Sequence, residues 1–445
     1  MRKGLFTLVP LVVSLGAGGV PSGNPPGDPS ERIHHYLARA AEYVEARAYP
    51  LARTYFEPVL ISPWITPEQR ALAYVTQAFT YAAEGLYVSA ALDYVRALEF
   101  DEDQTAALAA LSHLYARGLG VARNEDEALR LAQKAAELGH GYSRVYVAAA
   151  LLDEDIGAAR SWLMKAAEDG YTPAYVHLAR SFRREFADEP DPARAKRWYE
   201  AAAKEGSVAA SLALAYMYRD GEFGEPDGRE AARRFSILAE GGSAHAKAAL
   251  AHLYLSGNDL DRDVDRAFAL YREAAQQGVT NAYIGLGYLY ETGAGTDTDL
   301  AAAETWYRRG AERDDPVAQY RLANLLLQPA RDDSTATALY WFERAASSGH
   351  SGGENNAAWI LATSRHDRIR NGTLALHLAQ RAVAQDESPG TLDTLAAAYA
   401  ENGDFTRAID TQHRAIAALS SETEGLRAEL KGRLAAYEAG EPWRE

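Results

Sequence analysis

The sequence predicts an all-α protein, built as an α-solenoid of helix-turn-helix repeats. The first observation is compositional: Ala, Leu and Tyr dominate the apolar residues, whereas Ile and Val, which favour strands, are sparse. The second is a repeat of 36 residues through the middle of the chain. The third is that small and aromatic residues recur within each repeat at helical spacing. With 47% hydrophobic and 24% charged residues, the 445-residue chain has the composition of a folded protein.

The amino-terminal segment has the order of charge and apolarity that is typical of a secretory signal peptide. Arg2 and Lys3 give a positive start, Leu5–Leu15 is a largely apolar run, and small residues follow it. We therefore expect a signal peptide at residues 1–19. Because Pro and Gly are frequent after it, we expect a flexible linker at 20–32. The expected location is exported, in the periplasm, and the alternative is a cytoplasmic protein that retains its first residues.

Composition also limits the partners and cofactors. Asp and Glu outnumber Lys and Arg by 62 to 46, and the formal charge of −16 disfavours binding to nucleic acid. The chain has no cysteine, so thiolate catalysis and Cys-ligated metals are not expected, and Gly18 stands where a bacterial lipoprotein signal requires the lipid-bearing cysteine. Later segments fall short of the ~18 consecutive apolar residues of a spanning helix. We expect no cofactor, no metal site and no transmembrane anchor.

Two apolar stripes define the repeat. A Gly that ends an Ala-rich run recurs every 36 residues, and the next steps fall on an Asp and, slightly early, on a Gly: Gly170, Gly206, Gly242, Gly278, Asp314 and Gly349. The first stripe has the order Ala, Leu, small residue and aromatic, starting at Ala174, Ala210, Ala246 and Ala282. The second stripe pairs Ala with an aromatic, at Ala195 and Tyr199, Ala231 and Phe235, Ala267 and Tyr271, Ala303 and Tyr307, and Ala338 and Phe342. Each stripe lies on one face of a helix, so each repeat is predicted to be a helical hairpin.

The pattern A-x-x-x-L-G-x-x-Y, a Gly-rich loop, and then A-x-x-W-Y-x-x-A-A-x-x-G resembles the Sel-one-like repeat family, a branch of the tetratricopeptide superfamily. Trp198-Tyr199, Trp306-Tyr307 and Trp341-Phe342 match its W-Y pair, and Gly118-Leu119-Gly120-Val121 matches its loop. The resemblance implies a right-handed superhelix of stacked hairpins. It also implies a role in assembling protein complexes, in bacteria often at the cell envelope.

The same patterns divide the remaining chain into further segments. Seven Sel-one-like repeats are expected over 103–350, of which the one at about 142–170 is shortened. Residues 33–102 and 351–420 are similar to looser tetratricopeptide hairpins. A capping helix and tail are expected over 421–445, because the last repeat of a solenoid would otherwise expose its apolar face.

The candidate binding residues lie on the first helix of each hairpin, opposite the buried stripe. Position 6 after the leading Ala points away from the core and should line a concave groove. The side chains there are large and form hydrogen bonds, which suits them to anchor a protein or peptide partner. The candidates are His113, Arg180, Tyr216, His252, Tyr288 and Asn324.

Two motifs partly match a serine-hydrolase elbow and a calcium-binding loop, and we interpret both as structural. The sequence Gly349-His350-Ser351-Gly352-Gly353 fits the G-x-S-x-G elbow of serine hydrolases, but it follows a predicted helix where that elbow requires a strand. Asp259, Asp261, Asp263 and Asp265 alternate like calcium ligands, yet Val264 and Leu270 occupy the Gly and Glu positions of such a loop. We therefore expect Asp261 or Asp263 to cap a helix.

These observations favour a non-enzymatic scaffold that is exported and assembles or stabilises an envelope complex, with a protein or peptide in its groove. A cytosolic regulatory adaptor is the alternative. An enzyme acting on cell-wall glycan is disfavoured, because no set of nucleophile and base, and no metal-ligand set, is found in the sequence. No catalytic residue is predicted.

Overall fold

The computed structural model describes residues 27–183, 190–257, 259–328, 334–419 and 424–445. All regular secondary structure in these ranges is helical, which confirms the predicted all-α class. The chain divides into two compact units: unit 1 comprises residues 1–217 with 222–225, and unit 2 comprises 218–221 with 226–445. The predicted signal peptide and most of the predicted linker lie outside the described residues. In the described ranges, no helix is both long enough and apolar enough to cross a bilayer.

Short, paired helices of similar length make up both units. The helices that begin in unit 1 are α1 (Pro29–Glu45), α2 (Tyr49–Leu60), α3 (Pro67–Ala83), α4 (Tyr87–Phe100), α5 (Thr105–Arg117), α6 (Glu125–Glu137), α7 (Gly141–Leu151), α8 (Ile156–Glu168), α9 (Pro173–Ser181), α10 (Pro192–Lys204) and α11 (Val208–Arg219), whose last two residues belong to unit 2. Those of unit 2 are α12 (Gly228–Glu240), α13 (Ala244–Ser256), α14 (Val264–Gln276), α15 (Thr280–Thr292), α16 (Leu300–Ala311), α17 (Pro316–Leu326), α18 (Thr335–Ser347), α19 (Ser351–Thr363), α20 (Gly372–Gln385), α21 (Pro389–Glu401), α22 (Phe405–Ala417) and α23 (Glu424–Glu438).

Each helix packs on the next, from α1 to α10 in unit 1 and from α12 to α23 in unit 2. From α1 to α10 in unit 1 and from α13 to α22 in unit 2, odd-numbered helices are the first helix of a hairpin and even-numbered helices the second. The Ala and Leu residues of the first-helix stripe and all the Ala-aromatic pairs of the second are buried. Their burial gives these hairpins an apolar face on both sides, so within each unit the hairpins form a tetratricopeptide-like stack.

The first helix begins inside the segment predicted to be a linker. Asp28 is the N-cap of α1, and its carboxylate accepts hydrogen bonds from the backbone N–H groups of Ser30, at 2.8 Å, and Glu31, at 3.2 Å. Pro29 follows at the first helical position, where its fixed φ favours a helix start. This cap therefore places residues 29–32 in a helix and not in a linker.

The second helices start at an Asp or Asn in the same register. Asn124, Asp155, Asp191, Asp227 and Asp263 each cap a second helix by accepting from the backbone N–H three residues later. The distance for Asp263 is 2.9 Å, from the N–H of Arg266. One of the alternating aspartates is thus a helix cap, as expected.

A left-handed residue ends each second helix of the regular repeats. Gly170, Gly206, Gly242 and Gly278 have φ between 80° and 90°, and Gly349 has φ 78°. Asp314 stands at the equivalent position with φ 60°. A side chain with a Cβ is strained in this conformation, whereas Gly is not.

Replacing Asp314 by Gly is therefore expected to stabilise the protein by about 0.5–1 kcal/mol, because relief of the strained backbone exceeds the entropy that Gly adds to the unfolded chain. The ion pair between Asp314 and Arg344 is lost, but both side chains are exposed, so that loss is small. Thermal unfolding followed by circular dichroism measures the change. Gly206→Ala is the matched control and should lower the melting temperature; a lower melting temperature for Asp314→Gly would contradict the argument.

The carboxy-terminal helix covers the end of the stack. Leu430 of α23 packs on Leu392 and Ala415, and Tyr437 packs on Ala396 and Ala400. Arg433, also on α23, pairs with Asp393 of α21 at 2.5 Å. Gln412 of α22 donates a hydrogen bond to the other Asp393 oxygen at 2.7 Å. The helix therefore buries both an apolar face and an ion pair.

Candidate partner-binding face

In unit 2 the first helices approach one another directly. The first helices α13, α15, α17, α19 and α21 contact each other in succession. Second helices of consecutive hairpins do not approach as closely in the described part of this unit. The first helices therefore form the inner layer of unit 2, and we call their solvent-facing side the inner face.

Three predicted binding residues lie on consecutive helices of this layer: His252 on α13, Tyr288 on α15 and Asn324 on α17. His252 is exposed, and Tyr288 and Asn324 are half-buried. All three lie opposite the buried Ala and Leu positions of their helices. They occupy the same register in neighbouring hairpins, as the sequence predicts.

The other three predicted residues belong to unit 1. His113 is on α5, Arg180 on α9 and Tyr216 on α11. His113 and Tyr216 are half-buried, whereas Arg180 is exposed. Because the hairpin of α7 and α8 separates α5 from α9, His113 and Arg180 are not on adjacent first helices. The face predicted for these residues remains a prediction.

Tyr288 lies beside charged groups on its own and the next first helix. The guanidinium of Arg321 on α17 is 5.9 Å from the centre of the Tyr288 ring. Glu291, one turn after Tyr288 on α15, accepts a hydrogen bond of 2.7 Å from the hydroxyl of Tyr307. Burial, followed by the interaction with Glu291, raises the pKa of Tyr307, so the hydroxyl stays protonated and donates. An aromatic ring, a cation and a carboxylate thus lie close together here.

Asn324 continues the same row onto α19. Its side-chain oxygen accepts a hydrogen bond of 3.2 Å from the amide of Asn356, and its own amide donates to the carbonyl of Tyr320 at 2.8 Å. These bonds fix the orientation of the Asn324 side chain between two hairpins. A fixed polar group of this kind can bond a partner's backbone at low entropic cost.

The two candidate histidines are biased toward the neutral form. Partial burial, reinforced by the cation of Arg117, lowers the pKa of His113. His252 is exposed overall but partly desolvated by its neighbours, and this desolvation, followed by the cation of Arg219, lowers its pKa in the same way. Each ring therefore presents one donor and one acceptor near pH 7 and carries no charge.

Several residues of this face were not predicted from the sequence. Arg321 and Glu291 flank Tyr288, and Asn356 donates a hydrogen bond to Asn324. Trp359 follows Asn324 by 35 residues, the same step as from Asp314 to Gly349. Trp359 could have been found by continuing the register of the candidate residues across the 35-residue step. The contact of Arg321 had no such signal, because it joins two hairpins, and Glu291 bonds Tyr307 within its own hairpin at a position that the apolar stripes do not mark.

The G-x-S-x-G match at residues 349–353 lies at the start of a helix. His350 is the N-cap of α19 and accepts from the N–H of Gly353 at 3.1 Å, so Ser351 begins a helix that follows another helix. A nucleophile elbow requires a strand before the serine. Within the described ranges, no group of three or more His, Asp or Glu residues is placed to hold a metal ion.

Comparison with solved structures supports the fold. The crystal structure of c5321, a protective antigen of uropathogenic Escherichia coli strains with an SLR fold, is 21% identical, with a TM-score of 0.56 over 92% of each chain. A Sel1 repeat protein from Oxalobacter formigenes is also 21% identical, with a TM-score of 0.52 over 74% of this chain and 93% of that one. At this identity the likeness extends to the fold alone. No curated protein matches the sequence significantly.

The repeats themselves match a family model. The Sel1 repeat model matches seven segments, which together cover more than half of the chain: 105–140, 150–171, 174–207, 208–243, 244–279, 280–315 and 316–350. The short second segment corresponds to the repeat predicted to be shortened. With buried stripes, helical hairpins and family match in agreement, the chain belongs to the Sel1 repeat family.

Proposed function

We propose that the chain is a non-enzymatic protein–protein interaction scaffold that binds a protein or peptide along its first helices. The observation that carries this proposal is the row of His252, Tyr288 and Asn324 on three first helices in direct succession. Such a row offers hydrogen-bonding and aromatic side chains at one-repeat intervals, which suits an extended peptide. His113, Arg180 and Tyr216 are proposed to contact a partner in unit 1.

The chemistry of the row supports binding more than catalysis. The Tyr288 ring supplies contact area at low entropic cost, and the neutral His252 and Asn324 supply donors and acceptors. Arg321 and Glu291 beside Tyr288 add one charge of each sign. A partner segment with mixed polar and charged side chains is therefore favoured over a purely apolar one.

Photo-crosslinking tests this proposal. A benzoylphenylalanine at position 288 should form a covalent adduct with a partner, whereas the same probe at position 340 should not. Tyr340 is the matched control, since it is an aromatic residue that is 49% exposed but lies on the second helix α18.

The captured partner is then purified and its affinity is measured by calorimetry. Because two central contacts are removed, His252→Ala with Tyr288→Ala should weaken binding by about 30-fold or more, and Tyr340→Ala should leave it unchanged. Equal adducts from positions 288 and 340, or an unchanged affinity for the double variant, would reject the inner face as the binding site.

We further propose that the scaffold is exported and acts in an envelope complex of a bacterium. The support is the sequence of residues 1–19, with its positive start and apolar run. Mass spectrometry of the mature amino terminus is the test. Cleavage near residue 19 would agree with export, whereas a chain that keeps these residues would favour the cytosolic adaptor.

A further inference from the structure

Residues 441–445 leave α23 and return across the ends of two first helices. Gly440, with φ 75°, makes the turn after α23. The chain then passes Glu401, the last residue of α21, and reaches the end of α19. We call residues 443–445 the tail, and the surface on which they lie the tail seat.

The tail seat is built on the backbone of α19. The last carbonyls of a helix have no partner within it. Here the carbonyl of Thr363 accepts from the N–H of Glu445 at 2.8 Å, and the carbonyl of Ala362 accepts from the Arg444 guanidinium at 3.2 Å. The N–H of Arg365 donates to the carbonyl of Glu445 at 3.3 Å. Two of these three bonds involve only the backbone of the tail, so they do not depend on its side chains.

Side chains add specificity for the order Trp, Arg, Glu. The Arg444 guanidinium pairs at 2.6 Å with Glu401, whose other oxygen is 3.1 Å from Arg370. The Glu445 carboxylate accepts from the indole N–H of Trp359 at 2.9 Å. Trp443 packs against Tyr437 and the ends of α21 and α22. Each tail residue thus meets a group of matching chemistry.

The tail seat belongs to the layer that forms the inner face. Both α19 and α21 are first helices, and Trp359 lies one repeat after Asn324. The bond between Glu445 and Trp359 therefore places the tail in the register of the candidate binding row. The tail is also an imperfect occupant: among the described residues, the buried indole N–H of Trp443 meets no acceptor.

We propose that the tail seat is a peptide-binding site that the chain's own tail occupies reversibly. A partner segment with an aromatic residue, a cation and a carboxylate in consecutive positions displaces the tail and takes its bonds to Thr363, Glu401 and Trp359. This inference rests on the proposed function and deepens it by naming the chemistry of the partner segment. Because the tail is tethered, it competes at an effective concentration in the millimolar range, so only a segment that binds better or is abundant replaces it.

A labelled peptide tests the proposal. The probe is a fluorescein-labelled peptide of residues 438–445, and its binding to the full-length protein is measured by fluorescence anisotropy. Arg444→Glu in the protein places a carboxylate against Glu401 and releases the tail. The probe should bind this variant saturably, and wild type at least about 10-fold more weakly, because the wild-type tail competes.

Controls make the result specific. Arg414→Glu reverses a cation in an exposed ion pair with Glu387 in the same unit and should behave like wild type. A probe that carries Arg444→Glu should not bind the released seat. If Arg444→Glu prevents folding, Glu445→Ala is tested in its place. This variant removes only the bond from Trp359, so the probe should bind it better than wild type, but by a smaller factor.

The proposal is overturned if a variant with wild-type circular dichroism binds the probe no better than wild type, or binds the charge-reversed probe equally well. Formation of a dimer by Arg444→Glu would also contradict it, since release of the tail should leave an empty seat and not a new subunit contact. If the peptide fails to bind as expected but a partner still crosslinks at position 288, the tail seat is rejected and the proposed function is not.

Discussion

Replacing Arg433 by methionine is expected to lower the free energy of unfolding by about 3–5 kcal/mol, because it leaves the carboxylate of Asp393 buried without its cation. The side chains of Asp393 and Arg433 are 8% and 12% exposed, and their closest atoms are 2.5 Å apart. Methionine preserves much of the volume of the arginine stem, so the loss is mainly electrostatic. Urea unfolding followed by far-ultraviolet circular dichroism measures the change.

The deficit of this variant should depend on pH in a defined direction. Burial already raises the pKa of Asp393 above its ordinary value, even though Arg433 and Gln412 oppose that shift. Without Arg433 the folded-state pKa rises further, so as the pH falls the folded state takes up a proton before the unfolded state does. The deficit is therefore full at neutral pH and shrinks as the pH falls toward about 4, where the unfolded carboxyl also becomes protonated.

The double variant Asp393→Asn with Arg433→Met is the control for this argument. It removes the buried charge together with its partner, so it should recover most of the lost stability. Equal losses in the single and double variants would show that packing by the arginine stem, and not the buried charge, is what Arg433 contributes.

Replacing Tyr307 by alanine should destabilise the protein by about 3–5 kcal/mol, since a fully buried aromatic ring is lost and a cavity remains. The ring lies directly over Gly287 of α15, where an added Cβ would come within 2.5 Å of it. The same close contact joins the two helices of this hairpin. The change in the urea midpoint, at constant slope, gives the loss of stability.

Tyr307→Phe separates packing from hydrogen bonding at this position. It keeps the ring and removes only the bond to Glu291, so a loss of about 1–1.5 kcal/mol is expected. Tyr340→Ala, at an exposed site on α18, should change stability by less than about 0.5 kcal/mol. A loss for Tyr307→Ala as small as that for Tyr340→Ala would contradict the packing of this hairpin.

Helices, hairpins and core positions were predictable because they follow from local periodicity. The stripes from Ala174 to Phe342 repeat within 36 residues, and each repeat carries the same burial pattern. The same periodicity placed His252, Tyr288 and Asn324 on three consecutive first helices. Residues that are related by a repeat can therefore be assigned from the sequence alone.

The interactions that join distant segments were not predictable in this way. Arg321 meets Tyr288 across two hairpins, and Glu445 meets Trp359 across 86 residues. In the described ranges neither pair recurs at the repeat spacing, so no periodic signal marks it. The left-handed conformation of Asp314 was indicated by its register, but its residue type would have suggested an ordinary turn.

The contact between Glu445 and Trp359 has a consequence for how the end of the array unfolds. Terminal repeats of a linear array have one neighbour each and therefore fray first. The bond between Glu445 and Trp359 of α19 closes a loop that contains α20, α21, α22 and α23. Detachment of any of these helices must break that bond or the packing of the helix on its neighbours, so residues 351–445 are expected to melt as one cooperative block.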